Sequence, residues 1–519
     1  MKIENKAKIV SKNKQLVINI IASFIAFAVS MGINFFLSPY IVKTVGTEAY
    51  GFVQLSNNFI TYFSVLTIAL NSMSSRFISI AYYKNNMLEA NQYFSSTFFS
   101  NVILNAVLVP IIFVGILNIN HLVNVSPGLV IDVQFLMGFM AISLFVELLS
   151  TNLGISYYVK NKLYISSIVN IAGNIIRAVL LLVLFVFFKP YIAFIGLVTV
   201  IIIFFTQLFN IYYKRKLIPE LIIRKRYFQF IKVKELIFSG IWNTITRVGS
   251  LLSEGLDLLI TNLFIGAADM GILAIAKMVP NMINNILNTM ISTFIPNLTE
   301  LYAQNRKQEL VKYIKQSMKI IGMLINIPIA GLIAYGDVLF TLWFPKQDAH
   351  LLQILSIMTI FPWAIMGQAT IIHNVFTIVN KIKLNSILVC LTGLLNVLVV
   401  FILLKTTTLG LFAIAGVSSI FSIIRNLVYT VPFGAIYIKC KWYTFFSEII
   451  KSVLSVTTVS IVGCLLKTLM PTYSWLNLFL FAALTTIFGL IFNCMLVLNK
   501  NDRIFLYGLI IKKLKRNER

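Results

Sequence analysis

An all-α integral membrane fold is what this sequence predicts: about fourteen transmembrane helices, as two six-helix bundles related by an internal repeat plus two C-terminal helices. Three observations carry the prediction. The 519 residues are 59% hydrophobic and only 12% charged, and a mean hydropathy of +0.89 excludes a water-soluble globule. Apolar runs of helix-spanning length recur every 25 to 40 residues, and only helices satisfy their own backbone in hydrocarbon. Finally, Gly46, Gly51, Ser72, Tyr82, Asn85, Glu89 and Tyr93 recur 220 residues later as Gly266, Gly271, Ser292, Tyr302, Asn305, Glu309 and Tyr313. Two related halves in one bilayer protein point to a transporter that holds its substrate between them and rocks one against the other.

Along the chain, a tail with Lys2, Lys6, Lys8, Lys12 and Lys14 precedes the first apolar run and has no small-residue cleavage site, so the first span is expected to stay in the membrane. Spans are predicted at 16–43, 51–79, 94–118, 133–158, 164–188 and 191–213. A basic loop at 214–235 follows, then spans at 236–265, 270–299, 316–335, 351–378, 384–404 and 409–437, and two more at 445–466 and 475–498. The expected organisation is an N-terminal bundle over 1–213, a cytoplasmic linker over 214–235, a C-terminal bundle over 236–437, and helices 13 and 14 with a basic tail over 438–519.

Charge placement sets the orientation. With both termini inside, cytoplasmic segments hold 31 Lys and Arg and outer loops only 5, namely Lys43, Lys189, Lys346, Lys405 and Lys467. That asymmetry explains the formal charge of +26 without nucleic acid. The linker contributes Lys214, Arg215, Lys216, Arg224, Lys225, Arg226, Lys232 and Lys234, a set that positive-inside bias explains and that also suits anionic lipid headgroups. Four scattered cysteines show neither metal spacing nor a disulfide framework.

Eight charges fall deep inside predicted spans: Arg76, Arg177, Arg247, Lys277 and Arg425, with Glu147, Glu254 and Asp257. Facing lipid, they would cost roughly 20 to 28 kcal/mol, so they must face a wet or paired interior. The seventh span carries a polar stripe through Asn243, Arg247, Ser250, Glu254, Asp257 and Thr261, and the eighth another through Lys277, Asn281, Asn284, Asn288 and Ser292. The first has an uncharged one through Asn19, Ser23, Ser30, Asn34 and Ser38, and spans one, seven and eight are expected to line a common cavity. Interhelical hydrogen bonding accounts for single Asn or Ser residues. Four deep cations (Arg177, Arg247, Lys277 and Arg425) against three deep carboxylates leave positive charge to attract an anion, and guanidinium and ammonium groups are natural phosphate partners. Glu147, Glu254 and Asp257 are the deep groups able to titrate, so coupling to a proton or sodium gradient would run through them; no other cofactor is expected. His373 reads either as a proton relay or as a helix-end packing residue.

The stretch FFLSPYIVKTVGTEAYGFVQL at 35–55, with SGIWNTITRVGSLLSEGLDLLITNLFIGAADMGILAIAKMVPNMI at 239–283 and STFIPNLTELYAQN at 292–305, resembles the polysaccharide flippases that export O-antigen and teichoic-acid precursors. The resemblance implies the fold of the multidrug, oligosaccharidyl-lipid and polysaccharide exporter superfamily, two six-helix bundles in a V opening alternately to either side. It also implies a bacterial inner-membrane protein whose substrate is an oligosaccharide on an undecaprenyl pyrophosphate carrier, working with membrane lipids and other polysaccharide assembly proteins. The pyrophosphate would meet Arg177, Arg247, Lys277 and Arg425, with Arg76 included among the headgroup cations and Asn and Ser side chains facing the sugar. The polyprenyl tail would thread beside helices 1 and 8. Two other readings stay open: a small-molecule exporter of the same superfamily, and a membrane polymerase or ligase of the same glycans.

Overall fold

The computed structural model describes residues 2–497, and among these the regular structure is entirely helical. Twelve helices are long and apolar enough to cross a bilayer: Ile21–Val45, Thr47–Tyr83, Met87–Leu117, Pro127–Leu149, Leu163–Phe187 and Ala193–Leu217, then Lys307–Trp343, Ala349–Ile378, Ile382–Thr406, Leu411–Tyr437, Phe446–Lys467 and Trp475–Leu496. A bent pair, Ala267–Ala276 with Met278–Ala303, makes a thirteenth, with an angle of 42° at Lys277.

The segment expected at 236–265 as one helix is instead Phe230–Ser250, a wide π turn at Leu251–Gly255, and Asp257–Phe264. The π turn disturbs the regular backbone ladder, and Asn396 Nδ2 donates to the Leu252 and Ser253 carbonyls at 3.2 and 3.1 Å. A second π turn, Asn426–Thr430, interrupts the span at 411–437 just before Pro432, which has no N–H to continue the ladder. The expected 351–378 helix passes through a tight 3₁₀ stretch at Gly367–Ile372, and the expected 133–158 helix breaks into turns between Leu149 and Ile155.

By its internal packing the chain forms two compact units. One contains the chain up to Leu251 together with Leu258–Gly271, and the other Leu252–Asp257 and the chain from Ile272 on. Within the first, Thr47–Tyr83 runs against Phe230–Ser250 so closely that a Cβ on Gly240 would sit 2.0 Å from the Ala69 carbonyl oxygen. A core of Leu70, Ile78, Tyr93, Phe94 and Leu236 also takes in Ile218 and Leu221 from the basic loop. Within the second, Lys307–Trp343 is the most enclosed span and packs against both helices that lie beyond the repeat. Polar links fix this: Ser452 with Asn326 at 3.0 Å, Asn493 Nδ2 to the Met323 carbonyl at 3.2 Å, and Lys467 with Asp337 at 2.5 Å.

The repeated residues prove to be helix punctuation. Asn85 and Asn305 have φ of 57° and 55°, and Asn161 and Asn380, 219 residues apart, have 53° and 55°. Each ends a helix with the same backbone closure, for example Asn86 N–H to the Ala81 carbonyl and Arg306 N–H to that of Leu301. Gly51 and its repeat partner Gly271 meet directly: a Cβ on Gly51 would lie 2.9 Å from the Gly271 backbone, and one on Gly271 would lie 2.3 Å from the Thr47 carbonyl oxygen. Small residues at this crossing let two helices approach backbone to backbone.

Gly271→Ala is therefore expected to destabilise the protein by about 1–3 kcal/mol, read as a lowered thermal midpoint in detergent. Gly138→Ala, where a Cβ would meet nothing within 4 Å, is expected to leave the midpoint unchanged; equal behaviour of the two would refute the close-packing role.

Candidate functional site

In the first unit, Arg177 projects from the middle of Leu163–Phe187 and donates through Nη2 to Asn34 Oδ1 of the first span at 2.5 Å. Its Nε is buried without a hydrogen-bond partner. Tyr50 lies within electrostatic reach, its hydroxyl accepting from Gln54 Nε2 at 2.7 Å. A neutral amide oxygen satisfies a donor without cancelling the guanidinium charge, so the cation keeps its attraction for an anion. Arg76, Arg247 and Glu147 are exposed in the same unit. None of Arg76, Arg177 and Arg247 forms an ion pair among the described residues. Asn243 Nδ2 donates to Ser72 Oγ at 3.3 Å, while Ser250 bonds back to the Thr246 carbonyl at 3.0 Å.

In the second unit the deep charges are matched. Lys277, at the 42° bend, forms an ion pair with the buried Asp257 carboxylate and also reaches the Glu254 carbonyl oxygen at 3.4 Å. The bend exposes the Ala276 carbonyl, which accepts from Ser356 Oγ at 2.6 Å. Glu254, Asp257, Lys277, Asn281, Asn284, Thr359, Trp363, Ser418 and Ser419 line a polar cavity of about 80 Å³, room for two or three waters at about 30 Å³ each. Arg425 stands at the start of the second π turn within electrostatic reach of Glu254, with its Nε buried and unpartnered. His373 is beside Arg425 and hydrogen-bonded with Asn426. Asn288 donates to Asn284 at 3.1 Å.

The five deep cations are thus divided by the fold. Arg76, Arg177 and Arg247 share one unit with Glu147 as the deep carboxylate, whereas Lys277 and Arg425 share the other with Glu254 and Asp257. The repeat sharpens the contrast. Counting 220 residues from Asn34 reaches Glu254, and 219 from Arg177 reaches Asn396. In both units these positions bring the first helix of the repeat against the fifth, as Arg177 to Asn34 and as Asn396 to the turn before Glu254. Asn396 was not singled out from sequence; the one-residue step from Asn161 to Asn380 is the signal that aligns it.

At the basic loop, Tyr93 donates to Glu235 at 2.6 Å, and Lys232 bridges Glu89 and Glu235 at 3.1 and 3.3 Å. The Tyr93 bond, against burial and aided by Lys232, holds the Glu235 carboxyl below its ordinary range.

Residues 16–302 match the family described as polysaccharide biosynthesis protein, more than half of the chain, and the chain belongs to that family. It is 27% identical over 501 residues to the uncharacterized membrane protein EpsK of Bacillus subtilis (strain 168), covering 96% of this chain and 98% of that one. Among solved structures, the lipid II flippase MurJ in an inward closed conformation superposes with a TM-score of 0.64 at 16% identity, over 91% of this chain and 98% of MurJ. An inward-facing multidrug resistance MATE family transporter of the MOP superfamily gives 0.61 at 14% identity, over 84% and 96%. The fold is that of MurJ and the MATE transporters, as the sequence resemblance implied.

The Asp257–Lys277 pair supplies a test. Asp257→Asn and Lys277→Met each leave one buried charge unmatched and are expected to cost about 3–5 kcal/mol, read as a lower thermal midpoint; the double variant should recover most of it. A double variant as unstable as the sum of the singles would deny the pairing.

Proposed function

We propose that the protein is a transporter that flips oligosaccharide repeat units linked to undecaprenyl pyrophosphate across the bacterial inner membrane by alternating access, for surface polysaccharide biosynthesis. The observation that carries the reading is Arg177: a deep guanidinium held by a neutral amide, with an unsatisfied Nε and no carboxylate partner. Family membership supplies the polysaccharide context. The protein needs no covalent chemistry; it has to give a charged, hydrated headgroup a polar path and alternate its access.

In this mechanism Arg177 receives the pyrophosphate, with Arg76 and Arg247 in the same unit and Lys277 and Arg425 as the second unit's contribution. Arg177 can present two N–H donors to one phosphate, which a lysine cannot. Asn34, Asn243, Ser250, Asn281, Asn284 and Asn288 offer hydroxyl partners to the glycan. Glu147, Glu254 and Asp257 are the groups through which a proton or sodium gradient would couple, because each can lose or gain a positive partner as the pairs rearrange. Both termini would lie in the cytoplasm, with the lipid carrier's tail remaining in the bilayer.

A drug exporter of the same superfamily would take organic cations, and the carboxylates Glu254 and Asp257 are engaged with Arg425 and Lys277 rather than left to receive one. In proteoliposomes containing a fluorescent undecaprenyl pyrophosphate oligosaccharide, the intact chain is expected to move the lipid. Arg177→Ala should lower the rate by at least about tenfold, as expected for losing a charged hydrogen bond of about 1.5–3 kcal/mol, with protein abundance unchanged. Arg177→Lys should restore only part, and Arg247→Ala should also lose transport. Full transport by Arg177→Ala would sink the anion-site reading.

A further inference from the structure

The basic loop between the repeat halves is built as a fixed surface. Ile218 and Leu221 are each 1% exposed within the core of the first unit. Side chains at the start of Met87–Leu117 then bind the loop backbone in sequence. Asn91 accepts from the Ile222 N–H at 2.7 Å and donates to the Glu220 carbonyl at 3.2 Å. Ser95 accepts from the Arg224 N–H at 3.2 Å and donates to the Ile222 carbonyl at 3.3 Å. Ser96 both accepts from and donates to the Gln229 backbone, at 3.0 and 3.2 Å. Such two-way bonding leaves the strip from Glu220 to Gln229 little freedom to swing.

What this strip displays is basic and apolar together. Arg224, Lys225 and Arg226 are exposed in and before the short turn Lys225–Tyr227, and Arg226 lies 4.9 Å from the Tyr227 ring centroid. Immediately after them, Phe230 is 72% exposed and Ile231 57%. Phe238, 67% exposed, lies two turns further along the same helix face, with the Lys234 ammonium 5.7 Å from its ring centroid. Uncovered aromatic and aliphatic side chains at one end of a membrane helix, bordered by cations, match the boundary between acyl chains and headgroups. The segment's two carboxylates do not offset the exposed cations: Glu235 is taken by Tyr93 and Lys232, and eight basic residues stand against two acidic ones over 214–235.

We propose that Arg224, Lys225 and Arg226, presented by this pinned strip above Phe230 and Ile231, form a binding site for the headgroup of an anionic phospholipid. The lipid phosphate sits among the three cations while its acyl chains lie along Phe230, Ile231 and Phe238. Positive-inside bias alone requires basic residues near this end, but neither a rigid backbone nor an apolar floor beside them. Because the strip joins the two halves of the repeat, lipid bound there would tie the connection to the membrane surface.

The full chain, equilibrated in mixed vesicles of phosphatidylglycerol and phosphatidylcholine and extracted in mild detergent, can be weighed intact with its retained lipids. Wild type is expected to keep phosphatidylglycerol in preference to phosphatidylcholine. R224Q/K225Q/R226Q should lose that preference, with apparent affinity down on the order of 100-fold at about a factor of five per charge. K381Q/K383Q, at another basic loop, should retain it. Lys225→Gln alone, about fivefold weaker, serves if the triple variant does not fold. Undiminished preference in the triple variant, the same loss in K381Q/K383Q, or no preference in wild type would each overturn the site. The readout is bound lipid, so it stands independently of transport.

Discussion

The bilayer supplies no water to a backbone carbonyl, and most of this architecture follows from that constraint. Where a span is unbroken, the helix satisfies itself. Where it breaks, a polar side chain from a neighbouring helix lies within bonding distance: Asn396 at the Leu251–Gly255 turn, Ser356 at the Lys277 bend, and Asn101 at the Leu148 carbonyl, 2.9 Å away, just before the chain leaves its helix. The breaks are therefore held elements rather than loosened ones. They also carry the chemistry, since Glu254 sits in one π turn, Arg425 at the mouth of the other and Lys277 at the bend.

The same low dielectric governs the charges. A deep ion is tolerable when paired, hydrated or bonded, and the two units use different solutions. Lys277 with Asp257, and Arg425 near Glu254, make the second unit close to neutral inside. Arg177 is stabilised by Asn34 without being neutralised. An ancestral duplication that placed Asn34 and Glu254 at corresponding positions has thus diverged to opposite electrostatic character on a shared backbone plan.

That divergence matters because the fold alone does not separate functions. MurJ and the MATE transporters both superpose on this chain at similar quality, although one is described as a lipid II flippase and the other as a multidrug resistance transporter. Distinguishing substrates on one scaffold is the task of a few side chains. Here the surplus positive charge of the first unit is the feature that favours a phosphorylated lipid over an organic cation.

Much of this was legible in the sequence. Hydropathy located the spans, and the 220-residue recurrence of Gly46, Gly51, Tyr82 and Asn85 marked helix ends, because left-handed turns and close crossings accept few residue types. Burying charge in hydrocarbon is costly, so Arg177, Lys277 and Asp257 stood out as well. Hydropathy could not show that the seventh span breaks, since a π turn uses the same apolar residues as an α-helix and depends on Asn396 arriving from 144 positions away. Nor could it pair Lys277 with Asp257 while leaving Arg177 with an amide. Sequence by itself determined which residues must be satisfied inside the membrane; tertiary structure decided by what, because partners are chosen by the packing of helices distant in the chain.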